Sequence, residues 1–545
     1  MTRGWMYGFA ASALGVLAIA PVASQTPVAP RSVDETRALA AHVLNRLAFG
    51  PRLGDVDRVV QIGVDRWIEE QLRGEQINDA SAAKALVGCV FWTDPVVNVV
   101  QQLAGPVVSR SARPSSNGNG MMVTSFAITR SVEVVKRDSA RRNERFSTAL
   151  LENGQLLAGR LTRAESSDQQ LIEVMTDFWE NHFSIASSKT LSRGLIVEWD
   201  RAVIRPHALG TFRDLLGAVA HSPAMLHYLD NDVSLAGELN ENFGRELLEL
   251  HTLGVDGGYT QADVNDVARA FTGWTHSLVS NGRISITGMG SERAAVFSFN
   301  AARHDTAAKV VLGHTLPAGR GTQDGEDVLD ILARHPSTAK FIAKKLAVRF
   351  VSDSPPPSLV DRAAATYLRT NGDIREVMRT IVTSPEFRSP TVFGAKVKTP
   401  VELVLATRRA LGAPVDTAAE MIDLLIDLEQ PPFGHLTPEG WPETSERWMN
   451  AGAMRTRLSI ATRIANGEMP SIPVEQWPLW PSLSRETFDR QVDGVVRTLL
   501  DGRVSDRTRA VLIAARPTND EAAARVSAMR ELIAIALSSP EFQRR

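Results

Sequence analysis

The stretch NENFGRELLELHTLGVDGGYTQADVNDVARAFTGWT, residues 240–275, carries strong helical signals. On a helix at 100° per residue, one face carries four polar residues within an arc of roughly 100°. They are Asn242, Arg245, Glu246 and Glu249, and the neighbouring face carries Phe243, Leu247 and Leu250. Thr260, with Asp263 three residues later, has the pattern of a capping box that opens a helix over 261–272. Two consecutive helices are therefore predicted here.

The helical pattern breaks directly after this stretch, over residues 276–313. Asn281-Gly282 lies between two short alternating segments, which is the signal for a tight hairpin turn, and a third alternating segment follows at 295–299. The pattern is mostly helical from Ser32 up to this stretch, and helices resume at about Asp324. The sequence therefore predicts a mainly α, multi-helix globular array with a small antiparallel β-sheet insertion around 276–313.

Near the amino end, a helix is expected to stop at Gly50-Pro51. One further helix is predicted after it, with these apolar residues facing inward: Val56, Val59, Val60, Trp67, Ile68 and Leu72. Proline-rich joints later in the chain favour a main helical domain over 32–410 and a C-terminal helical subdomain over 411–545. The segment 109–121 is rich in serine, glycine and asparagine, which predicts a mobile loop, with an active-site lid as the alternative.

The first 24 residues have the pattern of a secretory signal peptide. Arg3 precedes an apolar run that ends at Ala20, and a small-residue cleavage pattern follows up to Ser24. The alternative, a transmembrane anchor, is disfavoured because a bilayer span needs roughly 20 apolar residues. We therefore expect an exported protein, periplasmic or extracellular, without a transmembrane anchor after cleavage.

The composition of the 545 residues excludes several classes of function. Sixty basic and 62 acidic side chains give a net charge of −2, so the excess of positive charge that nucleic-acid binding requires is absent. The single cysteine, Cys89, can form neither an intrachain disulfide nor a multi-cysteine metal site. The sequence also lacks the short motifs of serine hydrolases, zincins, nucleotide enzymes and dinucleotide enzymes.

The candidate catalytic residues lie on the polar face of 240–251. Glu246 and Glu249 are one helical turn apart, so their carboxylates can act as an acid and base pair or bind a metal together, with Arg245 beside them. The alternative is a solvated helix face, because Glu241 and Arg245, and Arg245 and Glu249, are spaced as ordinary ion pairs. Spacing alone leaves both interpretations open.

Nine of the eleven histidines lie between residues 182 and 335, where we expect any site. His182 and the adjacent pair His304-Asp305 are the further candidate metal ligands. Together with the two glutamates, they would supply imidazole and carboxylate groups for a divalent metal ion such as zinc, iron or manganese. The alternative for His182, which is flanked by large aromatic residues, is a hydrogen-bonded histidine of the core.

The chain resembles the bacterial domain of unknown function 1800 family in stretches that follow one another in the expected order. They are LNRLAFGPRLGDVDRV (44–59), FWENHF (178–183), IRPHALGTFRDLLGAVAHSPAMLHYLDN (204–231), the stretch 240–275 quoted above, HPSTAKFIAKKLAVRFVSDSPP (335–356), KVKTPVELV (396–404), PEGWPE (438–443) and SPEFQ (539–543). The resemblance implies an exported protein, often encoded beside a second family that looks like sulfatases and alkaline phosphatases, and it implies no activity.

The resemblance also bears on the candidate site. The family pattern includes His182 and the polar residues of 240–249, which favours a buried polar network or site over a solvated face. Where the family commonly has a histidine, between Trp179 and Asn181, this chain has Glu180, which replaces one potential metal ligand by another.

Two functions therefore compete. The first is a binding or scaffold protein that works with a sulfatase-like exported partner or a surface polymer. The second is a metal-dependent extracytoplasmic hydrolase that uses the histidine and glutamate residues named above. An open cleft around Glu246 and His304 would favour the hydrolase, and a closed, fully paired network would favour the scaffold.

Overall fold

The computed structural model describes residues 32–87, 89, 92, 157–189, 195–280, 283–285, 294–414, 418–519 and 521–545. The predicted signal peptide (1–24) and the predicted loop (109–121) lie outside these residues. Within the described ranges, no helix combines the length and the apolar character that a membrane span requires.

Helices make up most of the described chain up to the sheet region. They are α1 (Val33–Leu47), α2 (Asp55–Ile62), α3 (Val64–Leu72), α4 (Ala80–Ala85), α5 (157–166), α6 (Gln170–His182), α7 (Ile196–Glu198), α8 (Phe212–His221), α9 (Pro223–Tyr228), α10 (Asn242–Glu246) and α11 (Gln261–Ala270). Thr260 and Asp263 form the predicted capping box at the start of α11, because each side chain binds the backbone N–H of the other residue.

The single helix predicted after Gly50-Pro51 is instead two helices, and the prediction is wrong in this respect. Gly63 separates α2 from α3 with φ of 93°, a conformation that costs glycine little and other residues more. Its N–H donates to the carbonyl oxygen of Val59 and so closes α2. The helical periodicity of the apolar residues continues across the break, because both helices bury them on the same core.

The sheet insertion is confirmed. Its strands are β1 (Trp274–Ser280), β2 (Arg283–Ser285), β3 (Ala294–Phe299), β4 (Lys309–Val311) and β5 (His314–Leu316). The first three form an antiparallel sheet in the order β2-β1-β3, in which Ser280 pairs with Arg283 and His276 with Phe297. The strands β4 and β5 form a separate antiparallel pair. The predicted Asn281-Gly282 turn lies outside the described residues, and the pairing of Ser280 with Arg283 on either side of it is that of a hairpin.

Helices resume after the sheets, which confirms a mainly α fold. They are α12 (Gln323–Arg334), α13 (Pro336–Phe350), α14 (Pro357–Arg369), α15 (Ile374–Val382), α16 (Pro400–Leu411), α17 (Ala418–Asp427), α18 (Ala451–Ala465), α19 (Trp480–Leu483), α20 (Phe488–Leu499), α21 (Asp506–Ala514), α22 (Ala522–Ser538) and α23 (Pro540–Gln543). One cluster of buried apolar side chains extends from Leu39 to Phe542. The domain boundary near residue 410 stays a prediction.

The helix predicted over 240–251 changes its winding halfway. The α-helical part, α10, continues into a π-helical segment, Leu247–Thr252. The Leu253 N–H donates to the carbonyl oxygen of Leu248, five residues earlier, at 2.9 Å. The Thr252 hydroxyl stabilises the wider turn by donating to the carbonyl oxygen of Leu247 at 2.6 Å. Such segments are rare and are often found at functional sites.

Candidate functional site

The predicted acidic residues lie on a partly exposed face of α10 and its π-helical continuation. Arg245 forms an ion pair with Glu241 at 3.0 Å, and its guanidinium also donates to Gln261 Oε1 at 3.0 Å. The hydroxyl of Tyr259 donates to Glu249 Oε2 at 3.2 Å. Arg245 is therefore engaged within its own helix and the neighbouring α11.

Glu246 lies beside Glu249, as the sequence predicts, and is half-buried. Burial is the main cause that raises its pKa, the charges of Glu249 and Glu439 add to this effect, and Arg245 opposes it. Glu246 therefore keeps its proton to a higher pH than an exposed glutamate does. The three carboxylates form an acidic surface, to which Glu439 contributes from a distant part of the chain.

His182 is buried at the end of α6 in a cluster of aromatic rings. Its Nε2 is 3.1 Å from the carbonyl oxygen of His251, and its Nδ1 is 2.9 Å from Nζ of Lys345. Both ring nitrogens therefore have hydrogen-bond partners, and neither is left for a metal. Burial, reinforced by the charge of Lys345, lowers the pKa of His182 well below its usual value.

His304 and Asp305 belong to a different network. The ring of His304 is buried, with Nε2 3.3 Å from Asp324 Oδ2, and the same carboxylate accepts from Lys309 Nζ at 2.7 Å. Asp305 pairs with Arg269 through both carboxylate oxygens, at 2.8 and 3.2 Å. These contacts hold the loop after β3 against the neighbouring helices, as a structural network does.

The predicted metal ligands are thus not gathered in one place. His182, the two glutamates of 246–249, and His304 with Asp305 have three separate sets of partners. Within the part of the chain that the structure describes, no group of three histidine, cysteine, aspartate or glutamate residues could hold a metal ion. The sequence alone does not give the partners of these side chains, because a partner such as Lys345 lies 163 residues from His182.

A different set of side chains lines a small cleft that is partly open to solvent. Its walls come from α5, α6, α13, the start of α16 and the loop 430–443. The lining residues are Arg160, Asp177, Glu180, Asn181, Ser184, Ile185, Arg349, Thr399, Val401, Gln430, Pro431, Pro432, Phe433, His435, Trp441, Pro442 and Glu443. Four of the family stretches therefore meet at this cleft: FWENHF, the stretch 335–356 through Arg349, KVKTPVELV and PEGWPE.

Asn181 joins two of these stretches directly. Its amide nitrogen donates to the carbonyl oxygen of Trp441 at 2.8 Å, and its amide oxygen accepts from the N–H of Trp441 at 2.7 Å. This reciprocal pair attaches the loop 430–443 to the end of α6. The residue before Trp441 is Gly440, which has φ of 73° and lies against the backbone of Asn181.

The floor of the cleft is a chain of alternating charges. Arg160 contacts both Glu180 and Asp177, and Asp177 also accepts from Arg349 at 2.9 Å. Arg349 in turn pairs with Glu443 at 3.1 Å. Each arginine is buried and binds more than one carboxylate, so the planar guanidinium groups fix the positions of the acids.

The pKa of Glu180 is raised well above its usual value. Burial is the largest effect on its pKa and raises it, Asp200 raises it further, and Arg160 opposes both. Asp200, which lies behind Glu180, is bound by Arg205 through both oxygens at 2.8 and 3.0 Å, and its pKa stays below the usual value although burial alone would raise it. Glu180, which faces the cleft, therefore keeps its proton to a higher pH than Asp200 does.

The rim of the cleft is aromatic. Phe433, His435 and Trp441 all belong to the loop 430–443 and are partly exposed. The rings of His435 and Trp441 pack edge to face, with centroids 4.7 Å apart. A fixed polar floor under an aromatic rim is typical of a ligand-binding site.

Gly440→Ala is expected to lower the free energy of unfolding by about 2 kcal/mol. A Cβ at this position would lie 2.1 Å from the carbonyl oxygen of Asn181, so the loop must shift in addition to the backbone strain. Gly502→Ala is the matched control, because Gly502 has φ of 74° and open space around it, and about 1 kcal/mol is expected there. Urea unfolding of both variants checks this, and equal losses would contradict the contact between Gly440 and Asn181.

Sequence reasoning missed the cleft, although it singled out the stretches that build it. The usable signal was FWENHF together with PEGWPE, two short motifs that combine acids, an amide and tryptophans. Of the cleft residues, Glu180 is the one that the sequence marks as a candidate, because it stands where the family commonly has a histidine. Its partners are Arg160 and Asp200, which form an acid and arginine network.

No curated protein and no solved structure matches the chain. The model of one family, described as protein of unknown function (DUF1800), matches residues 42–544. This range contains the whole lining of the cleft, the acidic surface at Glu246 and Glu249, and the networks of His182 and His304. Because the match covers nearly all of the sequence, the chain belongs to the DUF1800 family.

Proposed function

We propose that this protein is an exported binding protein whose cleft holds a surface polymer, of which a polysaccharide fits the side chains best. The observation that carries this proposal is the aromatic rim of Phe433, His435 and Trp441 above a floor of fixed carboxylate, guanidinium and amide groups. Sugar rings present apolar C–H faces that stack on aromatic rings and hydroxyls that bind such polar groups.

The rigidity of the floor supports binding. Arg160 and Arg349 are each bound by several carboxylates, so the polar groups need little reorganisation when a ligand arrives. The carboxylate of Glu443 and the amide of Gln430, both partly exposed, remain beside the rim. Affinity then comes mainly from the rings, and orientation comes from the polar groups.

The proposal includes a partner. An exported protein that resembles sulfatases would act on the same polymer, and the binding protein would hold the polymer for it. The apolar run at 5–20, which precedes a cleavage pattern, supports export of the mature chain.

The competing hydrolase requires that His182, Glu246, Glu249, His304 and Asp305 meet around one metal ion. These side chains have the separate contacts described above, and the ring nitrogens of both histidines are engaged by protein groups. No observation on the described residues favours this second function, so we do not propose it.

Trp441→Ala is expected to weaken polysaccharide binding about tenfold, because the substitution removes the largest ring of the rim. Affinity electrophoresis of the mature protein in gels containing neutral, uronic-acid and sulfated polysaccharides measures this effect. Trp480→Ala is the matched control, since Trp480 is also half-buried but lies outside the cleft.

The outcomes separate clearly. Retardation by one polymer class that Trp441→Ala abolishes and Trp480→Ala preserves would support the cleft as the binding site. Equal retardation of all three proteins would place binding elsewhere. No retardation of the unaltered protein in any gel would contradict a polysaccharide ligand.

A further inference from the structure

A second cluster, outside the cleft, has the arrangement of an activated amine. Lys345 lies on α13, one turn before Arg349, and its Nζ is 2.9 Å from Nδ1 of His182. Nε2 of His182 is in turn 3.1 Å from the carbonyl oxygen of His251. Lys345 and the two histidines do not line the cleft, so this cluster is independent of the proposed polymer ligand.

The hydrogen bonds of His182 fix its tautomer. A carbonyl oxygen can only accept, so Nε2 of His182 carries the hydrogen that faces His251. In a neutral imidazole, Nδ1 then has a free lone pair, which points at the amine of Lys345. The ring is held ready to accept a hydrogen from this amine. Lys345 is thus placed as a nucleophile, His182 as its base, and the carbonyl group of His251 as the group that orients the base.

The surroundings of Lys345 disfavour its charged form. Among the residues that the structure describes, no carboxylate forms an ion pair with Lys345. The side chain of Lys345 is partly exposed, so a small molecule can reach it. Burial lowers its pKa to about 8, although Glu443 acts in the opposite direction. Burial also lowers the pKa of both His182 and His251, so the two nearest imidazoles are neutral. The ring of Phe341 is the other close group, with its centroid 5.5 Å from Nζ.

We propose that Lys345 is an amine nucleophile for small aldehydes or ketones, with His182 as its base. The uncharged Nζ attacks the carbonyl carbon and forms a carbinolamine. Nζ loses two hydrogens in all, relayed by Nδ1 of His182, and the carbonyl oxygen gains both and leaves as water. The product is an imine between the substrate carbon and Nζ, and the reaction needs neither an oxidant nor a reductant.

Reductive ethylation tests this proposal on the full chain. Acetaldehyde forms the imine, cyanoborohydride added as the reagent reduces it to a stable secondary amine, and peptide mass spectrometry measures the rate at each lysine. Lys344 is the internal control, because it is the exposed neighbour of Lys345 in the sequence. At pH 8, about half of an amine with a pKa of about 8 is uncharged, compared with about 0.3% at the usual lysine pKa. Allowing for partial burial, we expect Lys345 to react about tenfold faster than Lys344.

A variant tests the role of the base. His182→Gln removes the ring nitrogen that accepts from Lys345, so ethylation of Lys345 is expected to fall about tenfold or more while Lys344 is unchanged. If this variant does not fold, the pH profile of the unaltered protein decides, because the rate at Lys345 is expected to reach half its maximum near pH 8. The proposal is overturned if Lys345 reacts no faster than Lys344 between pH 6 and 10. It is also overturned if folded His182→Gln leaves the Lys345 rate unchanged.

Discussion

Arg349→Met is expected to lower the free energy of unfolding by about 3–5 kcal/mol. Arg349 is buried and binds three acids, with 2.9 Å to Asp177, 3.1 Å to Glu402 and 3.1 Å to Glu443. Methionine fills much of the same volume but leaves the acids without this shared cation. The loss therefore measures uncompensated buried charge more than lost packing.

The three acids are not affected equally. Asp177 keeps Arg160 at 3.0 Å, and Glu402 keeps Arg545 at 2.9 Å. Glu443 has no other ion-pair partner among the described residues, so it carries most of the expected cost. Burial alone would raise the pKa of Glu402, but Arg545 and Arg349 outweigh burial and hold this pKa below its usual range.

A second substitution tests whether Glu443 carries most of the cost. Glu443→Gln added to Arg349→Met is expected to recover about 1–2 kcal/mol, because it neutralises the acid that has lost its ion-pair partner. Arg490→Met is the control, since Arg490 is exposed and forms one 3.3 Å pair with Glu486, and about 0.5 kcal/mol or less is expected. Urea titrations followed by tryptophan fluorescence measure all four proteins. Similar losses for Arg349→Met and Arg490→Met would show that the buried network does not stabilise the fold.

The features of the fold that the sequence predicted depend on neighbouring residues. The capping box of Thr260 and Asp263 and the hairpin between β1 and β2 involve contacts only a few positions apart. The apolar pattern does not predict the break at Gly63, because the helical period of the apolar residues continues through it. The positive φ of Gly63 does not change that pattern.

The cleft depends on contacts that no local pattern contains. Asn181 and Trp441 are 260 residues apart and meet only because α6 and the loop 430–443 pack on the same side of the core. The acids that the sequence favoured, Glu246 and Glu249, do lie together, since a one-turn spacing is a local property. Whether the two glutamates meet His182 or His304 depends on the tertiary packing of distant elements. In the structure the glutamates and the two histidines have separate contacts.

Acid is expected to destabilise the protein through its buried histidines. His251 is fully buried, and neither of its ring nitrogens has a hydrogen-bond partner in the described part of the chain. Burial, with the nearby charge of Lys345, lowers its pKa from 6.5 to about 3. In the unfolded chain the same ring takes a proton near pH 6.5. Between these two values the unfolded state binds more protons, so stability falls as the pH falls from about 6.5 towards 3.

The size of the effect follows from the two pKa values. From pH 7 to pH 4, His251 alone is expected to remove about 3 kcal/mol of stability. His182 acts in the same direction, because burial also lowers its pKa. Buried acids with a raised pKa, such as Glu165, act in the opposite direction, so a variant is needed to isolate one histidine.

His251→Leu isolates the contribution of His251 to the pH dependence of stability, because leucine is apolar, of similar size and cannot take a proton. Urea unfolding at pH 7 and pH 4 gives the loss in free energy of unfolding between these two pH values. We expect this loss to be about 3 kcal/mol smaller for His251→Leu than for the unaltered protein. His314→Leu replaces an exposed histidine and is expected to leave this difference near zero. If the free energies of unfolding of both variants change equally between pH 7 and pH 4, His251 is not a neutral group in the folded protein. A gain confined to His251→Leu would instead locate the acid sensitivity in the core between α6, α13 and the π-helical segment, where His251 lies beside His182 and Lys345.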